Sequence, residues 1–351
     1  MVRLFRFTDS HSNKQITETC LKYHLIAAAC ALGLTASCAQ AQSFVKVYGV
    51  ADAGIVLESG GPDGRVNRVG SGVASGSRLG FKGKEDLGDG MSAFFVLENG
   101  YNMDTGKAGQ GGLLFGRQAL VGLSGAAGSI SLGRQYAPYF KAMRDIVDPF
   151  CTGLAGNVQN IFPAFTRIDN SVDYQTPKWH GTSAEVLYGL GEAAGDAAKK
   201  RTIDGSATYE GGPLTLVLAH HVQNDDTGTA HSRSTLLAGR YRFGIVTAHA
   251  AYARNRDVLG QPSRDGLLGV SVQAGPGRVL ASVVMHRDDF GREASARQGA
   301  IGYEYSLSKR TDLYAAYGHI VNRDGAAYTV GDATVEGSGT TGVNIGVRHV
   351  F

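Results

Sequence analysis

Between Ser43 and Glu58 the odd positions read Val45, Val47, Gly49, Ala51, Ala53, Ile55 and Leu57, apolar or glycine throughout. The even positions include Lys46, Tyr48, Asp52 and Glu58. A period of two over this length predicts a strand with one apolar face and one mixed face. The pattern recurs along the chain. Leu79 and Phe81 oppose Arg78 and Lys82, and Leu268, Val270 and Val272 oppose Ser271 and Gln273. Val279, Ala281, Val283 and Met285 oppose Arg278, Ser282 and His286; Ile301, Tyr303, Tyr305 and Leu307 oppose Gly302, Glu304 and Ser306. A soluble sandwich would alternate in the same way, so alternation alone does not choose a fold.

The connections and the strand lengths choose. Tight turns are expected at 85–90, 125–128, 211–213 and 275–277, and longer polar connections at 59–71, 224–231, 257–264 and 323–338. Short turns alternating with long loops mark an up-and-down membrane barrel. The clearer strands are about ten residues long, enough for a tilted strand to cross hydrocarbon. Counting them, with 171–180 and 182–191 included, gives sixteen. After the leader no window offers the apolar run of a membrane helix, which leaves a closed barrel as the spanning option. The expected fold is therefore all-β, a 16-stranded antiparallel transmembrane barrel.

The rhythm stops once, over residues 136–166. This stretch holds Pro138, Pro149 and Pro163, several aromatics, and the charged Lys141, Arg144, Asp145 and Asp148; Arg134 and Arg167 bracket it. A structureless connection of that length in a compact domain usually has a function. One reading folds it inside the barrel, where it sets the width and charge of a pore; the other leaves it as an ordinary exposed loop.

The beginning of the chain carries the layout of a secretory signal. Lys22 precedes an apolar run, 25–34, and Ala39-Gln40-Ala41 follows as a small-x-small cleavage site. This predicts a signal peptide over 1–41 and a barrel over 42–351. Cys38 invites a lipoprotein reading, but the Leu such a signal carries three residues upstream is missing. Removing 1–41 takes four of the 34 basic and two of the 31 acidic residues and leaves a net charge of +1. A nucleic-acid partner would want a strongly basic face and is not expected. Cys20, Cys30 and Cys38 leave with the leader, so Cys151 alone remains and no internal disulfide is expected.

The chain ends on Gly339-Thr-Thr-Gly-Val-Asn-Ile-Gly-Val-Arg-His-Val-Phe351. Earlier come, in order, Val47-Tyr48-Gly49-Val50-Ala51-Asp52-Ala53-Gly54, Ser77-Arg78-Leu79-Gly80-Phe81 and Phe94-Phe95-Val96-Leu97-Glu98-Asn99-Gly100. Phe115-Gly116-Arg117-Gln118, Leu132-Gly133-Arg134-Gln135-Tyr136 and Arg167-Ile168-Asp169-Asn170-Ser171-Val172-Asp173-Tyr174 follow. Together these resemble the general diffusion porins of Gram-negative outer membranes, of the beta-proteobacterial type. The resemblance implies a homotrimer of sixteen-stranded barrels in outer-membrane lipid, each with its third loop folded into the lumen. It implies passive diffusion of ions and small hydrophilic solutes, and a final aromatic, here Phe351, read by the barrel assembly machinery. It also implies a ladder of wall arginines facing the loop, carried by motif onto Arg78, Arg117 and Arg134.

Alternation independently supports only Arg78. Arg117 shares parity with Ala119, Val121 and Leu123, and Arg134 with Ile130 and Leu132, so a glycine bulge at Gly116 or Gly133 would have to change the phase. Relatives that carry a lysine after Tyr-Gly in the first strand differ from this chain, which has Val50. With Lys141 and Arg144 set against Asp145 and Asp148, the expected pore is weakly anion-selective. An outer-membrane hydrolase or an adhesive barrel is the alternative. Its best candidate is His220-His221 with Asp225 and Asp226, but adjacent strand residues point to opposite faces and cannot share a metal or an acid-base site. No catalytic group, cofactor or metal is expected.

Overall fold

The computed structural model describes residues 43–61, 64–291, 293–331 and 339–351. The expected signal peptide, 1–41, lies outside the described residues, as do positions 332–338 of the last long connection.

The strands follow the alternation. They are β1 (Phe44–Gly61), β2 (Gly64–Ser71), β3 (Arg78–Gly88), β4 (Met91–Gly100), β5 (Gln118–Gly125), β6 (Gly128–Tyr136) and β7 (Arg167–Gln175). Next come β8 (Thr182–Gly189), β9 (Thr202–Gly211), β10 (Leu214–Asn224), β11 (His231–Phe243) and β12 (Val246–Arg256). The series ends with β13 (Pro262–Ala274), β14 (Gly277–Asp288), β15 (Ser295–Ser306), β16 (Thr311–Arg323) and β17 (Thr341–Val350). Neighbours pair antiparallel throughout, and β1 closes the sheet on β17 from Val50↔Val350 to Ser59↔Thr341.

Seventeen segments make sixteen barrel strands. The upper half of β1 pairs with β2 and its lower half with β3, so β2 and β3 are two pieces of one barrel strand interrupted at 72–77. The interruption has an internal remedy. The buried Asp52 carboxylate accepts the N–H groups of Val73 (3.0 Å), Ala74 (3.2 Å) and Ser75 (2.8 Å), and the Tyr314 hydroxyl at 2.8 Å. Donors that lost their ladder partners are thus satisfied from the strand beside them.

One expected loop is a correction. Residues 59–61 and 64–71 form strand instead, with β1 running to Gly61 and β2 starting at Gly64. Polar content suggested a loop, but a strand that projects beyond hydrocarbon can be polar on both faces and still extend the ladder. The other tight connections, and the long ones at 224–231 and 257–264, fall where the glycines and polar runs placed them.

The outer face is apolar and exposed, as at Leu216, Leu218, Leu237, Leu268 and Ile301. The inner face is polar over much of the circumference, but Val217, Ala219, Leu236, Leu267, Leu280 and Val284 also point inward and are buried. The segment 137–166 covers them. Its Tyr139, Met143, Val147, Phe150, Leu154 and Val158 form one apolar cluster with those inward positions of β10 to β16. Each such side chain contributes roughly 1.5–3 kcal/mol when fully buried.

Closure ends on Phe351. Its N–H bonds the carbonyl of Gly49 (3.1 Å) and its carbonyl accepts the Gly49 N–H (3.0 Å), extending the β1–β17 seam by one residue. Its ring lies over Gly49, where a Cβ would stand 2.3 Å from the ring. Phe351→Ser should therefore lower the yield of heat-modifiable folded barrel on gels, since the seam loses its apolar cover. Unchanged yield would show that the seam does not need the ring.

Candidate functional site

The site is the narrow region that the 137–166 loop makes with the barrel wall. Pro138 opens a short helix, α1 (Pro138–Ala142), its fixed φ suiting the first helical turn. One π turn, Met143–Val147, continues it and closes with the Asp148 N–H on the Met143 carbonyl at 3.0 Å. The wall grips this helical arm along its length. The Tyr139 N–H bonds Asp204 (2.8 Å), its hydroxyl meets Ser234 (2.7 Å), and Phe165 stacks on His221 at 3.7 Å. Farther on, Nδ1 of His249 bonds the Ile146 carbonyl at 2.9 Å, and Arg240 donates to the Asp145 carbonyl at 2.7 Å.

Beyond the helix the chain turns back around Asp148. This carboxylate is buried and accepts the N–H groups of Phe150 (3.0 Å), Thr152 (2.9 Å) and Val158 (3.0 Å). Burial pushes its pKa up to about 6, against the three donors that favour the ionised form. The returning limb then docks on the interrupted strand. The Leu154 N–H bonds the Val73 carbonyl at 2.6 Å, and Gly153 lies so close that a Cβ would stand 2.2 Å from the Ala74 carbonyl oxygen.

Against this loop stands a group of arginines. Arg78, at the start of β3, is inward; its Nε lies 3.8 Å from Glu98 of β4. Arg117 reaches the same carboxylate with Nε at 2.8 Å and donates to the Tyr136 hydroxyl at 2.6 Å. It precedes the regular part of β5, just after Gly116, and there its side chain escapes the outward parity that alternation assigns it. Arg167 donates to the Tyr136 hydroxyl (3.1 Å) and to the Arg117 carbonyl (2.9 Å). Arg144 comes from the loop, its guanidinium 5.1 Å from the Tyr136 ring centre; that of Arg167 is at 4.7 Å. Four guanidinium groups thus surround Tyr136 and Glu98, and the Tyr48 hydroxyl adds a 3.0 Å bond to Glu98.

One motif assignment and one expected loop charge stand differently from expectation. Arg134 is not in the group; it bonds the Gly116 carbonyl at 2.7 Å and pairs with Asp169, in the outward column beside Ala119. The anticipated bulge at Gly133 exists, with the β6–β7 register shifting between Gly133 and Gln135 and Asn170 at φ +50°. Gly133 sits at φ +133°, where a Cβ would lie 2.1 Å from the Ala119 carbonyl oxygen, so glycine is required. Beyond the bulge Tyr136 and Arg167 stand directly opposite each other in register. Asp148 is the second difference: it is buried and organises the loop from inside by accepting three backbone N–H groups. The remaining loop charges are paired. Arg144 grips Asp145 through two bonds of 2.7 and 2.8 Å, while Lys141 is held by Glu185 and lies 3.8 Å from Asp173.

The histidine pair separates as geometry requires. His220 faces outward and bonds Thr235 (2.8 Å), whereas His221 is buried inward against Asp204 (2.7 Å). Arg167, Glu98, Tyr48 and Tyr136 are the site residues that alternation did not nominate. The signal available for Arg167 was its position at the loop's exit.

Residues 27–326 match the family described as Gram-negative porin. An outer membrane porin protein of Bordetella pertussis is 32% identical over 94% of this chain and 100% of its own length. Outer membrane porin protein 32 of Delftia acidovorans is 31% identical over 89% of this chain and 95% of its own. The solved anion-selective porin from Comamonas acidovorans superposes with a TM-score of 0.78 at 28% identity, over 88% of this chain and all of that one.

The loop geometry makes a direct expectation. Asp148→Ala would leave three buried N–H donors without an acceptor, at about 1–3 kcal/mol for each group left unpaired. Single-channel recordings should then show larger, noisier conductance, with Asp148→Asn closer to wild type because it keeps an acceptor oxygen. Quiet, unchanged steps from the alanine variant would mean that the loop is held by its apolar anchors alone.

Proposed function

The chain belongs to the Gram-negative porin family, and within it we propose a weakly anion-selective channel whose preference is set by Arg78, Arg117, Arg144 and Arg167. It is an outer-membrane porin, a closed barrel through which ions and small hydrophilic solutes pass by diffusion. The observation that carries the selectivity reading is the charge count at the loop. Four guanidinium groups meet two carboxylates there, Glu98 and Asp145. Elsewhere on the lumen wall, Arg278 pairs with Glu304 at 2.6 Å and Arg348 with Asp312 at 2.9 Å, while Arg240 meets only the Asp145 carbonyl. Lys141 is neutralised by Glu185.

A narrow aqueous path between low-dielectric walls concentrates the field of such an excess, so a few charges outweigh the near-neutral chain. An anion passing Arg78 and Arg144 exchanges part of its hydration for guanidinium donors, and a cation is repelled. The name of the related Comamonas acidovorans porin, anion-selective, agrees with this sign. Reversal potentials in a potassium chloride gradient test it. Wild type should favour chloride, with the preference fading as salt screens the charges beyond a Debye length of about 10 Å at 0.1 M. Arg78→Ala should move the potential toward cations, and a wild-type preference for potassium would overturn the reading.

A homotrimer is part of the same proposal. The connection between β4 and β5 is a compact loop, with the Asn102 N–H on the Lys107 carbonyl (2.9 Å) and the Gly109 N–H on the Gly100 carbonyl (2.7 Å). Its Met103 and Leu113, with the adjoining Leu114, are exposed apolar side chains, suited to latch onto a neighbouring barrel. Deleting residues 104–109 should lower the temperature at which oligomers separate on gels. An intact protein that sediments as a monomer would end the trimer proposal.

A further inference from the structure

The outer surface near the long-loop end of β11 to β16 carries a belt of arginines that conduction does not use. Arg254, Arg264 and Arg287 are direct cross-strand neighbours, since Arg254 pairs in register with Arg264 and Arg264 with Arg287. Arg233 faces Arg256 in the same way one step outward. All five are exposed and lie in the outward column of their strands. Neighbouring strands stand about 4.8 Å apart, and like charges directly opposite destabilise a sheet. Three side by side therefore imply a counter-charge. Asp289 pairs with Arg264 at 2.6 Å and Glu293 with Arg287, but Arg254 has no ion pair among the described residues.

The surface changes character one row toward the membrane. The next register row runs Tyr252, Gly266, Met285, Arg297 and Val321 across β12 to β16. With Arg264, Arg287 and Arg323 it lines an open groove of about 630 Å³. The floor at Gly266 is bare: a Cβ there would meet its first neighbour only at 3.9 Å, and one at Gly299 in the row below would meet none within 4 Å. Below the groove, Leu268, Val283 and Ile301 are exposed and apolar. From the rim inward the order is guanidinium row, a groove that carries Arg297 beside the bare Gly266, and apolar band.

We propose that this groove seats a lipid of the outer leaflet whose headgroup carries phosphate, its phosphates on Arg254, Arg264 and Arg287 and its acyl chains over Tyr252, Met285 and the apolar band. Guanidinium forks match phosphate oxygens in geometry and charge. The vertical order fits one amphiphile better than a soluble anion, which would have no use for the apolar part of the groove. The site lies outside the lumen, so it neither depends on the selectivity reading nor bears on it.

Native mass spectrometry of the full barrel in neutral detergent tests the proposal. The probes are diphosphoryl lipid A, its monophosphoryl form and the dephosphorylated glycolipid, with inorganic phosphate as competitor. Affinity should fall in that order of headgroups. The triple variant R254Q/R264Q/R287Q should bind the diphosphoryl lipid roughly a hundredfold more weakly, taking about 1 kcal/mol per basic residue at a membrane surface. A control losing the same charge elsewhere, K178Q/K309Q/R310Q, should bind like wild type, and unchanged single-channel conductance of both variants reports that the barrels are folded. Equal retention of the dephosphorylated glycolipid, or undiminished binding by the triple variant, would overturn the proposal. So would complete displacement by inorganic phosphate, which would mark a free-anion site. If the triple variant does not fold, the headgroup series on the wild-type protein decides alone.

Discussion

A sheet that lies in hydrocarbon cannot keep a free edge, because each unpaired N–H or C=O there costs several kcal/mol. Everything else in this protein is arranged around that closure. The β1–β17 seam runs ten residue pairs and is continued by Gly49 and Phe351. At 72–77 the ladder lapses, and there Asp52 supplies the missing acceptors from the neighbouring strand. The lapse is also where the inner loop attaches, through Val73 and Ala74. A defect in the wall thus becomes the fixed point for the element that narrows the pore.

The loop is held by two kinds of force, and they divide the circumference between them. Toward β10 to β16 the contact is apolar, Tyr139, Met143 and Phe150 packing on Leu236, Leu267 and Leu280. This explains why strands that should be polar inside carry leucine and valine on both faces. Toward β3 to β7 the apolar contact is smaller, Phe140 stacking on Tyr136 beside Ile168, and the wall there carries the arginines. The loop is pressed to one side and the charge is left on the other. Asp148 keeps the returning limb in place, so the distance between Arg144 and the wall does not depend on a flexible tip.

Much of this was legible in the residues. Period-two alternation located the strands, the glycine and polar runs located the turns, and the loop's bounds at Tyr136 and Arg167 coincide with the strand ends. What escaped has a common cause: it depends on breaks in regularity. Parity argues against Arg117 because parity assumes an unbroken strand, yet the residue sits at the irregular entry to β5. The Gly133 bulge was foreseeable from the glycine, but not the pairing of Tyr136 with Arg167 beyond it. Asp145 and Asp148 look alike in sequence; one is solvated beside Arg144, and the other is the acceptor for three backbone donors. Residues 59–71 read as loop because polarity cannot tell a solvated strand from a connection.

The arginine group raises a question of its own stability. Four like charges near one another repel, and desolvation makes each costlier. Glu98 answers part of this by accepting from Arg117, lying near Arg78 and bonding Tyr48. Tyr136 answers another part, its ring facing Arg144 and Arg167 and its hydroxyl accepting from Arg117 and Arg167. The same carboxylate that dilutes the pore's positive field is therefore what permits the group to exist. Removing it would raise the net charge, but would leave Arg117 buried without its anion, at a penalty of about 3–5 kcal/mol for a broken buried pair. Under the proposed reading, selectivity and stability meet in Glu98, and the weak anion preference is the compromise that this geometry permits.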